Sequence, residues 1–220
     1  MHSAFTGAKR SACCDRGEVV KVMMNSSLGI GCLILLLLIP AFTDGQQTDQ
    51  EKKMMEGWAK LAVPAEHHKH IAQFQGNWNV TLKSRIIATD TLEESSGSCE
   101  KKMVLGGRYL SEYCNTKTKS TPAKSSEGIG YLGYDNFKKS YISIWMSSDN
   151  TMVTPLYGTC DGTGKVITVT GNYADPVSGK ERQARWTWTV IDQNRHALKI
   201  DNTDPEGKDN RSIEVTYTRK

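Results

Sequence analysis

Long hydrophobic runs and charge of one sign are both scarce in this sequence of 220 residues. The longest nearly unbroken apolar run, residues 29–39, is shorter than the roughly 20 residues that a membrane-spanning helix needs. Basic and acidic residues number 28 and 24, and both signs are spread along the chain. This balance argues against a nucleic-acid groove and against a polybasic membrane patch. We therefore expect no nucleic-acid partner and no integral membrane span in the mature protein.

The apolar run is typical of a secretory signal. It ends at Pro40, and the small residues Thr43 and Gly45 follow it, as at a signal cleavage site. Just upstream, Met23 and Met24 are candidate starts of translation. We predict that residues 1–45 are an N-terminal extension and signal peptide, with the start at Met23 or Met24, and that the mature protein is secreted or periplasmic.

Cysteines are few after residue 45: Cys99, Cys114 and Cys160. Gly106 and Gly107 suit a two-residue hairpin turn, and a hairpin centred there places Cys99 directly opposite Cys114. Opposite residues of an antiparallel pair lie within the distance that a disulfide spans, and disulfides persist outside the cytoplasm. We predict a Cys99–Cys114 disulfide, with two buried free thiols as the alternative. Nothing near Cys160 in sequence indicates an activated nucleophile.

Helical periodicity is confined to a short stretch near the start of the mature chain. We expect residues 46–53 to be loose and polar, followed by a helix from Met54 that stops at Pro64, and a second helix over 65–74. From Gly76 onward, apolar and polar residues alternate and turn residues interrupt them. Strand candidates begin at Trp78 and continue near 95–105, 108–116, 127–134, 140–147, 151–159, 164–173, 181–191, 196–203 and 211–218. The prediction is an all-β fold, an antiparallel up-and-down barrel of about ten strands over residues 76–220, preceded by a leader with one or two short helices over 46–75.

Gly76-Asn77-Trp78 resembles the G-x-W signature of lipocalin-like (calycin) barrels. In those folds the tryptophan closes one end of the barrel, and an arginine from the last strand lies over its ring. Arg219 has the same alternation parity as the apolar Val215 and Tyr217, so it is the candidate partner of Trp78. The resemblance implies that Trp78 and Arg219 close the barrel.

A wider set of motifs is similar to the bacterial family catalogued as domain of unknown function 1579. The motifs occur in the family's order: Glu66-His67, Gly76-Asn77-Trp78, residues 105–110, residues 128–136, Asp161-Gly162, Gly171-Asn172-Tyr173 and the ending 217–220. The resemblance covers almost the whole mature chain and implies an exported lipocalin-like barrel. It implies no reaction. The cysteine pair is not part of the family pattern.

Inward aromatic residues indicate a ligand cavity. Trp186 and Trp188 share one face of a strand, and Tyr217 lies on the apolar face of the last strand. Large rings with polar atoms suit a pocket that is mostly apolar and still orients its ligand. We take Trp186, Trp188, His196 and Tyr217 as the candidate interior ligand-binding residues. The alternative is an interior packed solid with side chains.

The histidines are the remaining candidates for chemistry. His67 and His70 are three positions apart on a helical turn, but no second pair of ligands stands at zinc-binding spacing. His196 shares a face with Leu198 and Ile200, and one inward histidine in such a barrel is similar to haem-binding barrels of the nitrobindin type. Neither a nucleophile elbow nor an H-E-x-x-H motif occurs. We therefore predict no metal site, no cofactor and no catalytic residues.

The prediction is an exported barrel that binds a small hydrophobic or amphipathic ligand without catalysis. One alternative is a haem- or metal-binding barrel, or an enzyme, that uses His196 or the pair His67 and His70. Another is a structural envelope protein with a filled barrel. The ligand and the oligomeric state are left open.

Overall fold

The alternation of apolar and polar residues after Gly76 builds a closed β-barrel in the computed structural model. The structure describes residues 48–86, 90–121, 125–175, 178–203 and 210–220. The predicted signal peptide, its start codon and its cleavage site lie outside these residues. In the described part of the chain, ten antiparallel strands follow two helices. The strands are β1 (Gly76–Ile86), β2 (Thr91–Val104), β3 (Tyr109–Thr118), β4 (Ser125–Asp135), β5 (Ser140–Ser147), β6 (Leu156–Cys160), β7 (Val166–Ala174), β8 (Glu181–Asp192), β9 (Arg195–Thr203) and β10 (Asn210–Arg219).

Each strand pairs with the next one in sequence, and β10 pairs with β1 to close the sheet. This is the up-and-down order that short turns between successive strands favour, because no long crossing is needed. The predicted lipocalin-like barrel is confirmed. Closure also removes free sheet edges, which would otherwise expose unpaired backbone groups.

The β2–β3 hairpin carries the predicted disulfide. Val104 pairs with Tyr109, and the same register brings Cys99 opposite Cys114, which are linked. The predicted two-residue turn was too short, because residues 105–108 all lie in the loop and Leu105, Gly106 and Gly107 all have positive φ. The two cysteine Cα atoms are 4.0 Å apart, closer than the roughly 5.5 Å of a hydrogen-bonded pair.

Helix α1 (Asp49–Ala62) begins earlier than its apolar periodicity predicted. Thr48 accepts a hydrogen bond from the backbone N–H of Glu51, and the Glu51 side chain accepts one from the N–H of Thr48. This capping box satisfies backbone donors that a helix start leaves free. The prediction of a loose segment over 46–53 is therefore wrong from residue 49 onward.

Helix α2 (Glu66–Ala72) closes one end of the barrel. His68 and Ile71 are buried, and Phe74 just beyond the helix is also fully buried. The Trp78 indole N–H donates to the Phe74 carbonyl at 3.0 Å, which ties the segment after α2 to the first strand. Arg108 and Asn136, from two barrel turns at the same end, donate to carbonyls at the end of α1.

Strand β6 is shorter than predicted, because residues 151–155 are irregular. Pro155 has no N–H to give to a ladder, and it restricts Thr154 before it. The β5–β6 pairing is accordingly brief, from Tyr141 opposite Gly158 to Ser143 opposite Leu156. No helix in the described residues is long and apolar enough to cross a membrane.

Candidate functional site

The barrel interior is filled at the helix end and hollow at the other end. The hollow part is a cavity of about 410 Å³, within the size range of small-molecule sites. Aliphatic side chains, five aromatic rings and several polar side chains, with the carboxylates Glu112 and Asp149 among them, line it; the rings are those of Trp145, Tyr173, Trp186, Trp188 and Tyr217. The open and the filled interior, which the sequence presents as alternatives, thus occur at different heights of one barrel.

The filled end is a stack of rings around His196. The His196 ring stacks on Tyr217 with centroids 4.2 Å apart and meets the Trp78 ring edge-on at 4.3 Å. Phe74 approaches from the α2 side, with its ring centroid 5.2 Å away. Large rings that are buried together account for much of a small barrel's core energy. This stack separates the cavity from the helices.

Trp78 and Arg219 cap the stack at the helix end. They are direct partners across the β1–β10 seam, and the guanidinium carbon lies 4.3 Å from the Trp78 ring centroid. Arg219 also donates from Nε to the Gln193 carbonyl at 3.0 Å. A side chain on Gly76, whose φ is positive, would collide with the guanidinium, so the glycine makes room for it.

Trp145, which the sequence prediction missed, forms one wall of the cavity. Its indole lies flat across the inward faces of Gly128 and Gly130 on the neighbouring strand; a Cβ at Gly128 would lie 2.0 Å from its Cζ2 atom. Glycines inside a strand often mark such a close approach. The spacing of these glycines opposite Trp145 in a hairpin is a signal that could have identified it.

Two charged residues lie at the base of the cavity. Lys101 on β2 and Glu112 on β3 are cross-strand partners, with Nζ 3.0 Å from Oε2. The Lys101 side chain is fully buried, and its Nζ lies 3.8 Å from the Tyr217 ring centroid, in a cation–π contact. Burial lowers the pKa of Lys101, and the Glu112 carboxylate opposes that shift. Glu112 itself lines the cavity, so the cation is sealed while the anion is presented to a ligand.

We define the cavity floor by four lining residues, Glu112, Ser143, Trp188 and Tyr217. Each is the lining residue of its strand that lies nearest to the helix end. Burial raises the pKa of Tyr217 well above its usual value, and Glu112 adds to the effect, so the phenol stays protonated. The sequence signal for Glu112 was its parity with Leu110 and Cys114, which places a carboxylate on the inward face of β3.

The predicted ligand-binding residues therefore divide into two groups. Trp186, Trp188 and Tyr217 line the cavity, whereas the described lining residues do not include His196. His196 lies below them, and both of its ring nitrogens lack a hydrogen-bond partner among the described residues. Burial, followed by the positive charges of Lys101 and Arg219, lowers the pKa of His196 to about 2. The imidazole is neutral and enclosed by rings.

His67 and His70 attach α2 to the barrel. Both Nδ1 atoms share the Tyr141 hydroxyl, at 3.1 and 2.9 Å, and the His67 ring stacks on Tyr134 with centroids 4.0 Å apart. Burial is the main cause that lowers the pKa of His67, and the neighbouring His70 adds to it. Each histidine thus has one ring nitrogen engaged in holding the helix.

Metal-ligating atoms cluster at one place in the described residues, at Cys99, Glu112 and Cys114. Both sulfur atoms there belong to the disulfide, which removes the thiolates that a metal would need. Cys160 is free, but burial raises its pKa and its thiol donates to the Asp161 carboxylate at 3.7 Å. A raised pKa is the opposite of what a nucleophilic cysteine requires.

A family model described as "Protein of unknown function (DUF1579)" matches residues 63–219. The chain belongs to this family. Its match spans α2, the whole barrel and every cavity-lining residue, so the cavity lies within the DUF1579 domain. A search of curated proteins found no match.

Solved structures are similar to this DUF1579 protein at low sequence identity. The S-type phycobiliprotein lyase CPES from Guillardia theta is 12% identical with a TM-score of 0.50, covering 73% of this chain and 96% of the lyase. Rv2717c from M. tuberculosis is 13% identical with a TM-score of 0.49, covering 72% and 99%. A redesigned β-barrel, mFAP1, bound to DFHBI is 12% identical with a TM-score of 0.36, covering 70% and 100%. The likeness to the lyase shows a shared fold.

Proposed function

We propose that this DUF1579 protein binds one small amphipathic molecule in the hollow end of its barrel and does so without chemistry. The observation that carries the proposal is the ring-lined cavity of about 410 Å³ above a filled base. Rings at this density supply apolar contact, while a few polar groups orient the ligand. The groups that could act in catalysis, Cys160 and His196, have pKa values shifted away from reactivity at neutral pH.

Binding of a neutral fluorescent probe tests the proposal. The purified protein is titrated with N-phenyl-1-naphthylamine, and tryptophan-to-probe energy transfer is recorded. We expect saturable binding at one site, with a blue shift of probe emission, because the probe leaves water for an apolar cavity. Absence of saturable binding would count against the proposal.

A pair of identical substitutions locates the probe. Ile200 lines the cavity, so Ile200→Trp fills part of it with an indole, whereas Ile191 on the outside of the barrel is exposed. We expect Ile200→Trp to weaken probe binding at least about tenfold, which is roughly 1.4 kcal/mol. The control Ile191→Trp should bind the probe as the parent does. Equal binding by both variants would place the probe outside the barrel.

A further inference from the structure

The cavity floor and the Lys101 side chain behind it are together electrically neutral, and the floor presents the negative member of the ion pair to the ligand. Lys101 and Glu112 form an ion pair at 3.0 Å, with their side chains 0% and 6% exposed. Lys101 lies behind the Glu112 carboxylate, enclosed by the Tyr217 ring on one side and that carboxylate on the other. A ligand that enters from the open end therefore meets the Glu112 carboxylate and not the ammonium group.

A carboxylate accepts hydrogen bonds and donates none. A ligand head group that reaches the floor must therefore donate a hydrogen bond to Glu112, or it leaves a partly buried carboxylate oxygen without a partner. Leaving such a group unsatisfied costs more than a good hydrogen bond contributes. The floor thus selects by chemistry, while the ring-lined walls select by shape.

The floor also discriminates between ligands by the charge of their head group. Because Lys101 already balances Glu112, an anionic head group would give the floor a net negative charge, and a cationic one a net positive charge. An unbalanced charge in an apolar cavity is strongly disfavoured. A neutral donor, such as a hydroxyl or an amide N–H, keeps the floor neutral and satisfies the carboxylate.

We propose that the ligand of this barrel is a neutral molecule whose hydrogen-bond donor points toward the cavity floor. Glu112, paired with Lys101, is the residue that selects it. This inference rests on the proposed function and specifies its ligand class. Fatty-acid anions and alkylammonium ions are therefore disfavoured relative to alcohols or amides of the same size. Ser143, also on the floor, supplies a neutral hydroxyl.

Four naphthalene probes that differ in head group alone test the selection. Isothermal titration calorimetry at neutral pH compares 2-naphthol, 2-methoxynaphthalene, 2-naphthoate and 2-naphthylmethylammonium. We expect 2-naphthol to bind about tenfold more tightly than each of the other three, since a hydrogen bond to a charged group accounts for at least that factor. Equal affinities, a preference for either charged probe, or failure of 2-naphthol to bind would overturn the inference.

A double variant tests whether the preference for 2-naphthol depends on the ion pair. Replacing a buried pair by apolar residues of similar volume is tolerated, whereas removing one partner is not, so Lys101→Met and Glu112→Leu are combined. In this variant 2-naphthol and 2-methoxynaphthalene should bind equally, while N-phenyl-1-naphthylamine still binds. A retained tenfold preference for 2-naphthol would remove Glu112 from the proposal.

The outcomes separate the two proposals. If neither N-phenyl-1-naphthylamine nor any naphthalene probe binds to the parent protein, the ligand-binding function itself fails. If N-phenyl-1-naphthylamine binds and the four naphthalene probes show no preference for the donor, the ligand-binding function stands and the selection by Glu112 fails.

Discussion

His196 shows how the surroundings of one side chain determine its chemistry. Its imidazole is 2% exposed, lies between the Tyr217 and Trp78 rings, and has the cations Lys101 and Arg219 nearby. Loss of hydration disfavours the imidazolium, and the two positive charges disfavour it further. A histidine that could serve as a haem ligand or a general base by sequence is here a neutral ring in the core.

The lowered pKa of His196 predicts an acid-sensitive stability. The unfolded imidazole takes up a proton near pH 6.5 and the folded one near pH 2, so between these values the unfolded state binds one more proton. As the pH is lowered below about 6.5, the free energy of unfolding should therefore fall by about 1.4 kcal/mol per pH unit through this group alone. Between about pH 7 and about pH 5 the loss is about 2 kcal/mol.

His196→Phe removes the imidazole that binds this proton and keeps an aromatic ring in the stack. Urea unfolding at about pH 7 and about pH 5 should show a smaller pH effect in the variant than in the parent, by about 2 kcal/mol. Lys101, Arg219 and Glu112 surround the site in both proteins, so their titration cancels in the comparison. An identical pH dependence in parent and variant would contradict the predicted pKa.

At the scale of single residues, the sequence predicted correctly those properties that depend on the alternation of side chains along a strand. The inward faces of Trp186, Trp188 and Tyr217 follow from the two-residue period of a strand. The height of a side chain along the barrel axis does not follow from that period, which is why His196 was assigned to the ligand site and Glu112 was overlooked. Strand stagger between distant strands determines height, and stagger is a property of the closed sheet.

At the scale of elements, strand β4 shows how two strands share a cavity wall. Gly128 and Gly130 leave a flat surface on which the β5 residue Trp145 lies. The indole reaches over the neighbouring strand because no Cβ atom stands in its way. The cavity wall is therefore formed by a pair of strands and belongs to neither alone.

Gly128→Ala should displace the Trp145 ring. The new Cβ would overlap the indole, and overpacking of this kind costs about 1–3 kcal/mol of unfolding free energy, measured by urea denaturation. Gly162→Ala is the matched control, because a Cβ there meets nothing within 4 Å and its effect should stay within about 0.5 kcal/mol.

A second comparison assigns the cost to the ring. In a Trp145→Ala background, Gly128→Ala should cost about 0.5 kcal/mol or less, since residues in contact behave non-additively. If Gly128→Ala costs the same with and without the indole, the strain lies in the backbone of β4 and not in the contact with Trp145.

The two helices show which features of an element can be predicted from the local spacing of apolar residues and which cannot. The second helix was expected, and the structure buries its Ile71 and the following Phe74. The start of α1 was missed because its first turn is polar and is held by the Thr48–Glu51 capping box, which hydrophobic spacing does not register. Likewise, the β2–β3 register was right although the loop is two residues longer than expected, because one residue from each strand joins the loop and the remaining pairs are unchanged.

At the scale of the whole molecule, the disulfide and the predicted export are linked. The Cys99–Cys114 bond closes a segment with a sequence separation of 15, and in the chain-entropy account a loop of that size contributes about 3 kcal/mol. Such a bond persists only in an oxidising compartment. The export route that we predict for residues 1–45 therefore bears on the stability of the barrel.

We expect the chain expressed from Met23 to be exported, cleaved after the small residues near Gly45, and to contain the 99–114 linkage. N-terminal sequencing and mass spectrometry of unreduced peptides measure both features, with Cys160→Ala as the control that leaves the linkage intact. An uncleaved cytoplasmic product would refute the export prediction. In the Cys99→Ala/Cys114→Ala variant, urea unfolding should show a loss of about 3 kcal/mol.

The sequence by itself determined the barrel, its strand order and the face on which each side chain lies. Alternation has a period of two residues and short turns force neighbours to pair, so this information is local and can be recovered from one chain. The same holds for the cysteine pair, which is separated by one hairpin.

Tertiary structure alone decided where the interior is filled and where it is hollow, and which charge the hollow presents. Phe74, Trp78, His196, Lys101 and Tyr217 come from separate elements and fill the helix end together, while Glu112, Trp145, Trp186 and Trp188 line the hollow part. Whether inward side chains meet or leave space depends on their heights in a closed, staggered sheet, and that geometry exists only after the last strand has paired with the first.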